Sequence, residues 1–348
     1  MDIVLELFDT FAFDYVYAAV LPNNAPNFSP NTTLSSIDAP FHSPKAWEYV
    51  PATNYFSLQP RQAAYNSQWT RDDWRRQFVS LYMITWVFGL MVYYVFASWS
   101  YFFIFDKSTF KHPKYLKNQI RLEIAQTNRA LPLMALFTAP CFLLEVRGYS
   151  FLYDNSADGP GIWYNIIQFP FFILFTDFFI YWIHRGLHHP RIYKYLHKSH
   201  HKWIVPTPYA SHAFHPMDGF AQSIPYHVFP FLFPLQKFAY VFLFVFINIW
   251  TVLIHDGEYV ADNPIINGAA CHTMHHLYFN YNYGQFTTLW DRAGGSYRKP
   301  NDELFRKELK MCQSLWKKQS EEMEKIAAKV EGKDDREYAP AGEAKKVR

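Results

Sequence analysis

The sequence predicts an all-α integral membrane protein. It has roughly four or five transmembrane or re-entrant helical segments, and a cytosolic helical cap holds a histidine-rich site for two metal ions. Three observations predict this. Half of the 348 residues are apolar and 20% are aromatic, against 18% charged. The polar residues are crowded into particular stretches, leaving others nearly bare of charge. Finally, 13 of the 15 histidines fall between His184 and His276. A net charge of +3 gives no case for nucleic acid, and the isolated Cys141, Cys271 and Cys312 form neither a disulfide framework nor a cysteine metal site.

Taken in order, residues 1–77 read as an N-terminal amphipathic helix and loop region, 78–300 as the membrane domain with its histidine cluster, and 301–348 as a charged cytosolic tail. Residues 3–21 predict an amphipathic or interfacial helix ending before Pro22. Asp2, Glu6, Asp9 and Asp14 make this the wrong start for a basic signal leader. Residues 22–60, rich in Pro, Asn and Ser, read as loop; Asn27 and Asn31 begin glycosylation acceptor patterns that matter only on a lumenal side. From Phe78 to Phe105, 28 positions carry no charge, enough to span a bilayer with some tilt. A basic loop, 106–129, follows. The next apolar run, Ala130–Leu144, has only 15 residues and contains Pro132 and Pro140, so it is the weakest candidate span. Residues 162–183 form another span, interrupted by Asp177 and leading into His184. The last apolar zone, 219–254, has 36 residues with Lys237 as its only charge, and it predicts a hairpin turning near that lysine.

The histidines before and after this zone can share a site only if they lie on one side of the membrane, and a hairpin meets that condition. If 130–144 crosses, the basic loop joins the histidines on the cytosolic face and the N-terminus is lumenal. If 130–144 is re-entrant, the N-terminus is cytosolic and the basic loop lumenal, which the positive-inside rule disfavours. In the tail, 314–329 predicts a solvated helix, and the chain beyond Glu331 reads as disordered. Lys345 and Lys346 stand fourth and third from the end, matching a dilysine retrieval signal of endoplasmic reticulum membrane proteins; a chance basic ending is the competing reading.

Three histidine groups carry the chemistry: His184 and His188 with His189; His197, His200 and His201; His272, His275 and His276. Each contains a pair four residues apart, and such pairs share one face of a helix. Crowded imidazolium cations would repel, whereas metal ions take neutral imidazole. Eight ligands, omitting His189, exceed what one ion accepts and suit two. Without thiolates the sphere fits iron and dioxygen chemistry, although zinc and nickel also accept imidazole. His255 is a ninth candidate ligand. Asp256 or Glu258 would orient a ligand or add an oxygen, and His189 is either a supporting residue or a ligand. His212, His215 and Asp218 are assigned to ligand support or the substrate pocket, with direct ligation by the two histidines as the alternative. His227 either lines a lipid channel or packs between helices. Phe279, Tyr281 and Tyr283 would bound a planar apolar substrate.

The boxes H-x3-H, H-x2-H-H and H-x2-H-H resemble the fatty acid hydroxylase/sterol desaturase superfamily of membrane di-iron oxidases. Residues 207–220 (TPYASHAFHPMDGF), 222–227 (QSIPYH) and 275–292 (HHLYFNYNYGQFTTLWDR) resemble its sterol C5-desaturases, the lathosterol oxidase type, with a fungal-like N-terminal region. The resemblance covers most of 78–300. It implies that the eight box histidines are required for activity and that the chain puts a Δ5 double bond into Δ7 sterols at the endoplasmic reticulum. It also implies a di-iron centre, dioxygen as co-substrate, and electrons from NAD(P)H through cytochrome b5 and its reductase. Related hydroxylases carry a second histidine where Tyr259 stands, which implies one imidazole fewer at the second iron. No nucleotide-binding glycine pattern is present, so the electron donor must be a separate protein; the basic run of Arg185, Arg191, Lys194, Lys198 and Lys202 would attract an acidic one. A sterol C4-methyl oxidase or lipid hydroxylase would share the boxes, but 207–227 and 277–292 argue against it. A metal transporter would need polar ligands along a membrane path, where only Asp177 and His227 lie deep. A dead scaffold would be expected to have lost box histidines, and none is missing.

Overall fold

A computed structural model describes residues 1–23, 47–259, 263–305, 312–332 and 334–339. Asn27, Asn31 and the Lys345–Lys346 pair lie outside these residues. The chain forms two compact units, Met1–Ile84 with Ala139–Tyr149, and Thr85–Thr138 with Ser150–Arg348.

In the first unit, α1 (Asp2–Phe8) runs through a π-helical segment (Asp9–Phe13) into α2 (Asp14–Val20). This is the expected amphipathic helix with its polar stripe turned inward. Asp9 and Asp14 are buried against Arg71 and Arg76, with Arg76 2.8 Å from Asp9 and 2.6 Å from Asp14. The Arg76 guanidinium also lies 4.7 Å from the Tyr17 ring centroid. Phe11, Val16 and Val20 are left exposed, the arrangement of a helix whose outer face meets lipid.

Among the described residues, three helices are long and apolar enough to cross a membrane: α3 (Trp74–Phe103), α4 (Gln119–Val146) and α5 (Tyr164–Leu187). The weakest candidate span is thereby corrected. Its 15-residue apolar run is the second half of a 28-residue helix whose first half carries the polar residues 119–129. Glu123 explains how a carboxylate is accommodated there. It is fully buried, accepting from Gln119 at 2.7 Å, from the Thr207 amide at 3.3 Å and from the Thr207 hydroxyl.

The 219–254 zone is the expected hairpin, α7 (Pro216–Leu232) and α8 (Lys237–Leu253), after the short α6 (Pro190–Leu196). Its tip is tied down. Strand β1 (Leu152–Tyr153), in the loop between α4 and α5, pairs in parallel with β2 (Leu235–Gln236) at the hairpin turn. Tyr164, at the start of α5, donates to the Pro234 carbonyl at 2.9 Å. Phe172 and Phe175 of α5 meet Phe229 of α7 edge-on at 5.0 and 5.2 Å. The hairpin therefore reaches the end of α5 remote from His184 and returns.

α9 (Ala269–Tyr278) and α10 (Leu289–Ala293) complete the cap, and α11 (Gln313–Val330) lies beyond them. The expected solvated helix is corrected here. α11 is charged on one face, but Leu315, Met323 and Ala327 are buried in one cluster with Met274, Leu277 and Tyr278 of α9. The disorder expected beyond Glu331 is corrected for 334–339, where Leu116 bridges to Tyr338. There the Tyr338 hydroxyl donates to Asp334 at 2.6 Å and the Lys114 ammonium lies 4.4 Å from the Tyr338 ring centroid, contacts that composition alone does not reveal.

Candidate metal centre

The α5 helix delivers His184 and His188 from its last turn and C-cap. His197 caps α6, and His200 and His201 follow in turns closed by amide bonds to the His197 carbonyl at 2.9 and 3.3 Å. α9 carries His272, His275 and His276. The nine histidines expected as ligands sort into two groups: His184, His188, His197, His201 and His275, and then His200, His255, His272 and His276. The sorting follows helix geometry. His272 and His276 share a face of α9, while His275 points to the other group.

Within the groups the Nε2 atoms converge. His184 and His197 stand 3.1 Å apart, His201 lies 3.2 Å from His188 and 3.0 Å from His275, and His272 lies 2.9 Å from His255 and 3.1 Å from His276. In His184, His275, His255 and His197 the opposite ring nitrogen is anchored outward. Nδ1 of His184 donates to the Tyr283 carbonyl at 2.9 Å, that of His275 to the Tyr281 carbonyl at 2.7 Å, and that of His255 to the Thr251 carbonyl at 2.7 Å. His197 Nδ1 is 2.7 Å from the Asp218 carboxylate, whose other oxygen accepts from Gln222. A carbonyl accepts only from an N–H, so these rings carry their proton on Nδ1 and turn a bare lone pair inward on Nε2. Lone pairs so placed repel unless an ion lies between them. Two nitrogens each about 2.1 Å from one ion and at right angles stand about 3 Å apart, so the donor set fits metal.

Electrostatics agree. Burial, reinforced by the neighbouring histidines, holds His188, His201, His255, His272, His275 and His276 well below the usual imidazole range. Burial and His197 bring His200 down to about 3. Both effects favour the neutral form, which is the one that binds metal.

Beside the groups opens a mostly apolar cavity of about 1100 Å³, its mouth included, bordered by His184, His200, His255 and His272. Phe88, Leu131, Met134, Phe244 and Ile247 line its apolar part. His212 and His227 also line it.

Other expected site residues lie elsewhere. His189 is exposed and caps α6, its Nδ1 accepting from the Arg191 amide; His215 caps α7 in the same way through the Met217 amide. In both, the residue before a proline-led helix start satisfies an orphan amide rather than a metal. Asp256 accepts from the Glu258 amide, and both border a separate cleft with Tyr259, because His255 is already oriented by Thr251. Tyr259 packs against the α9–α11 core, leaving four imidazoles in the second group against five in the first. Phe279 stacks on His201 at 5.1 Å, and Tyr283 lies edge-on to His184 at 5.5 Å. With Tyr281, they back the ligands instead of bounding the cavity.

Reading the sequence missed the carbonyl anchors and the loop that presents them. Asp177 accepts the amides of Gln285, Phe286 and Thr287 at 2.8–3.1 Å. Asp291 accepts those of Tyr283 and Gly284 at 2.8 Å. A side chain at Gly284 would run into the Thr287 carbonyl. The one available signal was a lone carboxylate interrupting an apolar span.

The sequence pattern of the family described as fatty acid hydroxylase matches residues 169–296. A Leptosphaeria maculans protein named Delta(7)-sterol 5(6)-desaturase is 64% identical, the match covering 100% of both chains. A Neurospora crassa protein named probable Delta(7)-sterol 5(6)-desaturase is 66% identical over 98% of each. No solved structure matches.

Proposed function

The chain belongs to the family of the Δ7-sterol 5(6)-desaturases, and from that membership we propose that it oxidises a Δ7 sterol by removing hydrogen from C5 and C6. The observation that carries the reading is the meeting of two buried histidine groups at one end of an apolar cavity. Iron held by these groups would supply the dioxygen-dependent oxidising power needed to break an unactivated C–H bond. In the balanced reaction two hydrogens leave the sterol as the C5–C6 double bond forms. Dioxygen, those hydrogens, two electrons and two further protons end as two waters.

The protein's own task is placement. His184, His188, His197, His201 and His275 would hold one ion, and His200, His255, His272 and His276 the other. Asp218 and the Tyr281, Tyr283 and Thr251 carbonyls keep the ring protons on Nδ1. The apolar lining excludes water and sets the sterol edge against the histidines. Position at that scale separates loss of a second hydrogen from oxygen insertion.

The electrons would come from NAD(P)H through cytochrome b5 and its reductase. Lys117, Lys194, Lys198, Lys202 and Arg336 line a surface hollow beside Ser199, outnumbering Asp335 and Glu337 there, and this basic excess would suit an acidic donor. With the three span-length helices crossing and the hairpin returning, the basic loop and the histidines would share one face. The positive-inside rule favours the cytosolic side for that face, and we infer an endoplasmic reticulum membrane from the sterol reaction.

The test is sterol mass spectrometry after expression in cells that accumulate Δ7 sterols, beside a His272→Ala/His276→Ala control. Δ5,7-diene sterols formed by the intact chain alone are the expected result. An oxygenated sterol would convert the reading to a hydroxylase, and no new sterol from correctly localised, metal-loaded protein would refute it.

A further inference from the structure

Glu331, the residue after α11, and Arg336 form an ion pair only 1% and 3% exposed, with two parallel bonds of 2.9 and 2.7 Å. Arg336 Nη2 also donates to the backbone carbonyl of His201 at 3.0 Å. On the other side of the pair, the Tyr193 hydroxyl donates to Glu331 at 2.6 Å. The Tyr193 ring is itself buried, with its centroid 5.5, 6.2 and 5.8 Å from those of His188, His197 and His201. All three belong to the five-histidine group. The segment carrying Arg336 is laced to the chain before α4, the Lys117 amide donating to the Glu337 carbonyl at 3.1 Å and the Ala339 amide to the Tyr115 carbonyl at 2.8 Å.

Burying an arginine and a glutamate costs more desolvation than an apolar contact would, so mere attachment of the tail does not account for them. What the pair provides is direction: a planar fork fixed on a carboxylate, with a further donor left to aim at one carbonyl. Besides a bond from Arg336 Nη1 to Asp334 at 3.2 Å, the pair reaches the His201 carbonyl and the hydroxyl of Tyr193, whose ring packs on the same histidines. The second group has other anchors, including the Thr251 carbonyl at His255 and the Ala213 carbonyl 3.4 Å from His200 Nδ1.

We propose that Glu331 and residues 334–339 are a clamp that positions the five-histidine group, with Arg336, Glu331 and Tyr193 as positioning residues. The proposal rests on the reading of the two histidine groups as metal sites. Ligand sites tolerate errors of only about half an ångström, so releasing the clamp loosens one group and spares the other.

The experiment counts metal per chain by mass spectrometry in the full-length protein, iron-loaded and purified in detergent, and measures sterol turnover. Wild type is compared with Arg336→Ala, Arg336→Lys and Tyr193→Phe. In wild type, iron stands near two per chain. In Arg336→Ala it falls toward one, with one of two iron environments lost by Mössbauer spectroscopy. kcat falls about 10–100-fold, the usual cost of removing a ligand's support. KM for the sterol stays within about twofold, since the cavity is lined by other residues. Arg336→Lys keeps the charge without the fork and recovers only part of the loss. Tyr193→Phe removes one hydroxyl without emptying the core, so it decides the matter even if Arg336→Ala fails to fold, and it shifts both readouts in the same direction. Variants that keep both irons and wild-type kcat would overturn the clamp alone. A wild-type chain that takes up no iron would overturn the metal reading and the clamp with it.

Discussion

At the residue scale, the spacing of the histidines reveals the ligands, while their orientation depends on atoms that spacing cannot name. His197 shows the difference. Its place in H-x2-H-H marks it as a candidate, but the Asp218 carboxylate 2.7 Å from its Nδ1 holds the ring so that Nε2 meets His184. Asp218→Asn keeps the shape and removes the charge that strengthens the imidazole as a donor. It also presents an amide N–H₂ to either Gln222 or His197, both of which donate. Metal affinity and turnover are expected to fall about 10–100-fold, read by metal titration and sterol turnover; unchanged values would show that His197 needs no such partner. His189 and His215 carry the opposite lesson. Both stand beside true candidates in sequence, but a helix-capping amide claims each ring. The carbonyls of Thr251, Tyr281 and Tyr283 were invisible because every residue has a carbonyl, and only the fold selects which one a histidine meets.

At the element scale, hydropathy identified the spans except where a polar half-helix and an apolar half-helix belong to one rod, as in α4. The tail was misread because its charges were counted without their faces. α11 docks with Trp316 edge-on to the His112 ring at 5.4 Å, and Gln319 hydrogen-bonds that histidine. Burial brings His112 from 6.5 down to about 4, against the raising effect of the Gln319 bond, with Lys114 adding to the depression. The docked form therefore binds the proton less readily than the released one. Docking is fully present above about pH 6.5 and weakens as pH falls toward 4. Hydrogen exchange of residues 313–330, corrected for the intrinsic pH dependence of amide exchange, is expected to quicken between pH 7.5 and 5, more in the wild type than in His112→Gln. Equal quickening in both would assign the effect to other groups.

At the scale of the whole molecule, if the three span-length helices cross and the hairpin returns, the loop after α3, the histidine groups and the clamp share one face, and the loop between α4 and α5 lies on the other. Single cysteines in a chain lacking Cys141, Cys271 and Cys312 would report this. An impermeant maleimide is expected to label Lys107→Cys and Lys194→Cys from one face and Ala157→Cys only from the opposite one. Labelling of Lys107→Cys and Ala157→Cys from the same face would refute the crossing of α4. The hairpin has a wider consequence. Each arm has 17 residues, about 25 Å of rise, and the β1–β2 pairing prevents the tip from reaching further. Hydrocarbon in the endoplasmic reticulum is about 27 Å thick, and in sterol-rich plasma membrane about 32–33 Å. At that length the hairpin matches the thinner bilayer more closely than the thicker one, so its dimensions are those expected for the endoplasmic reticulum location proposed above.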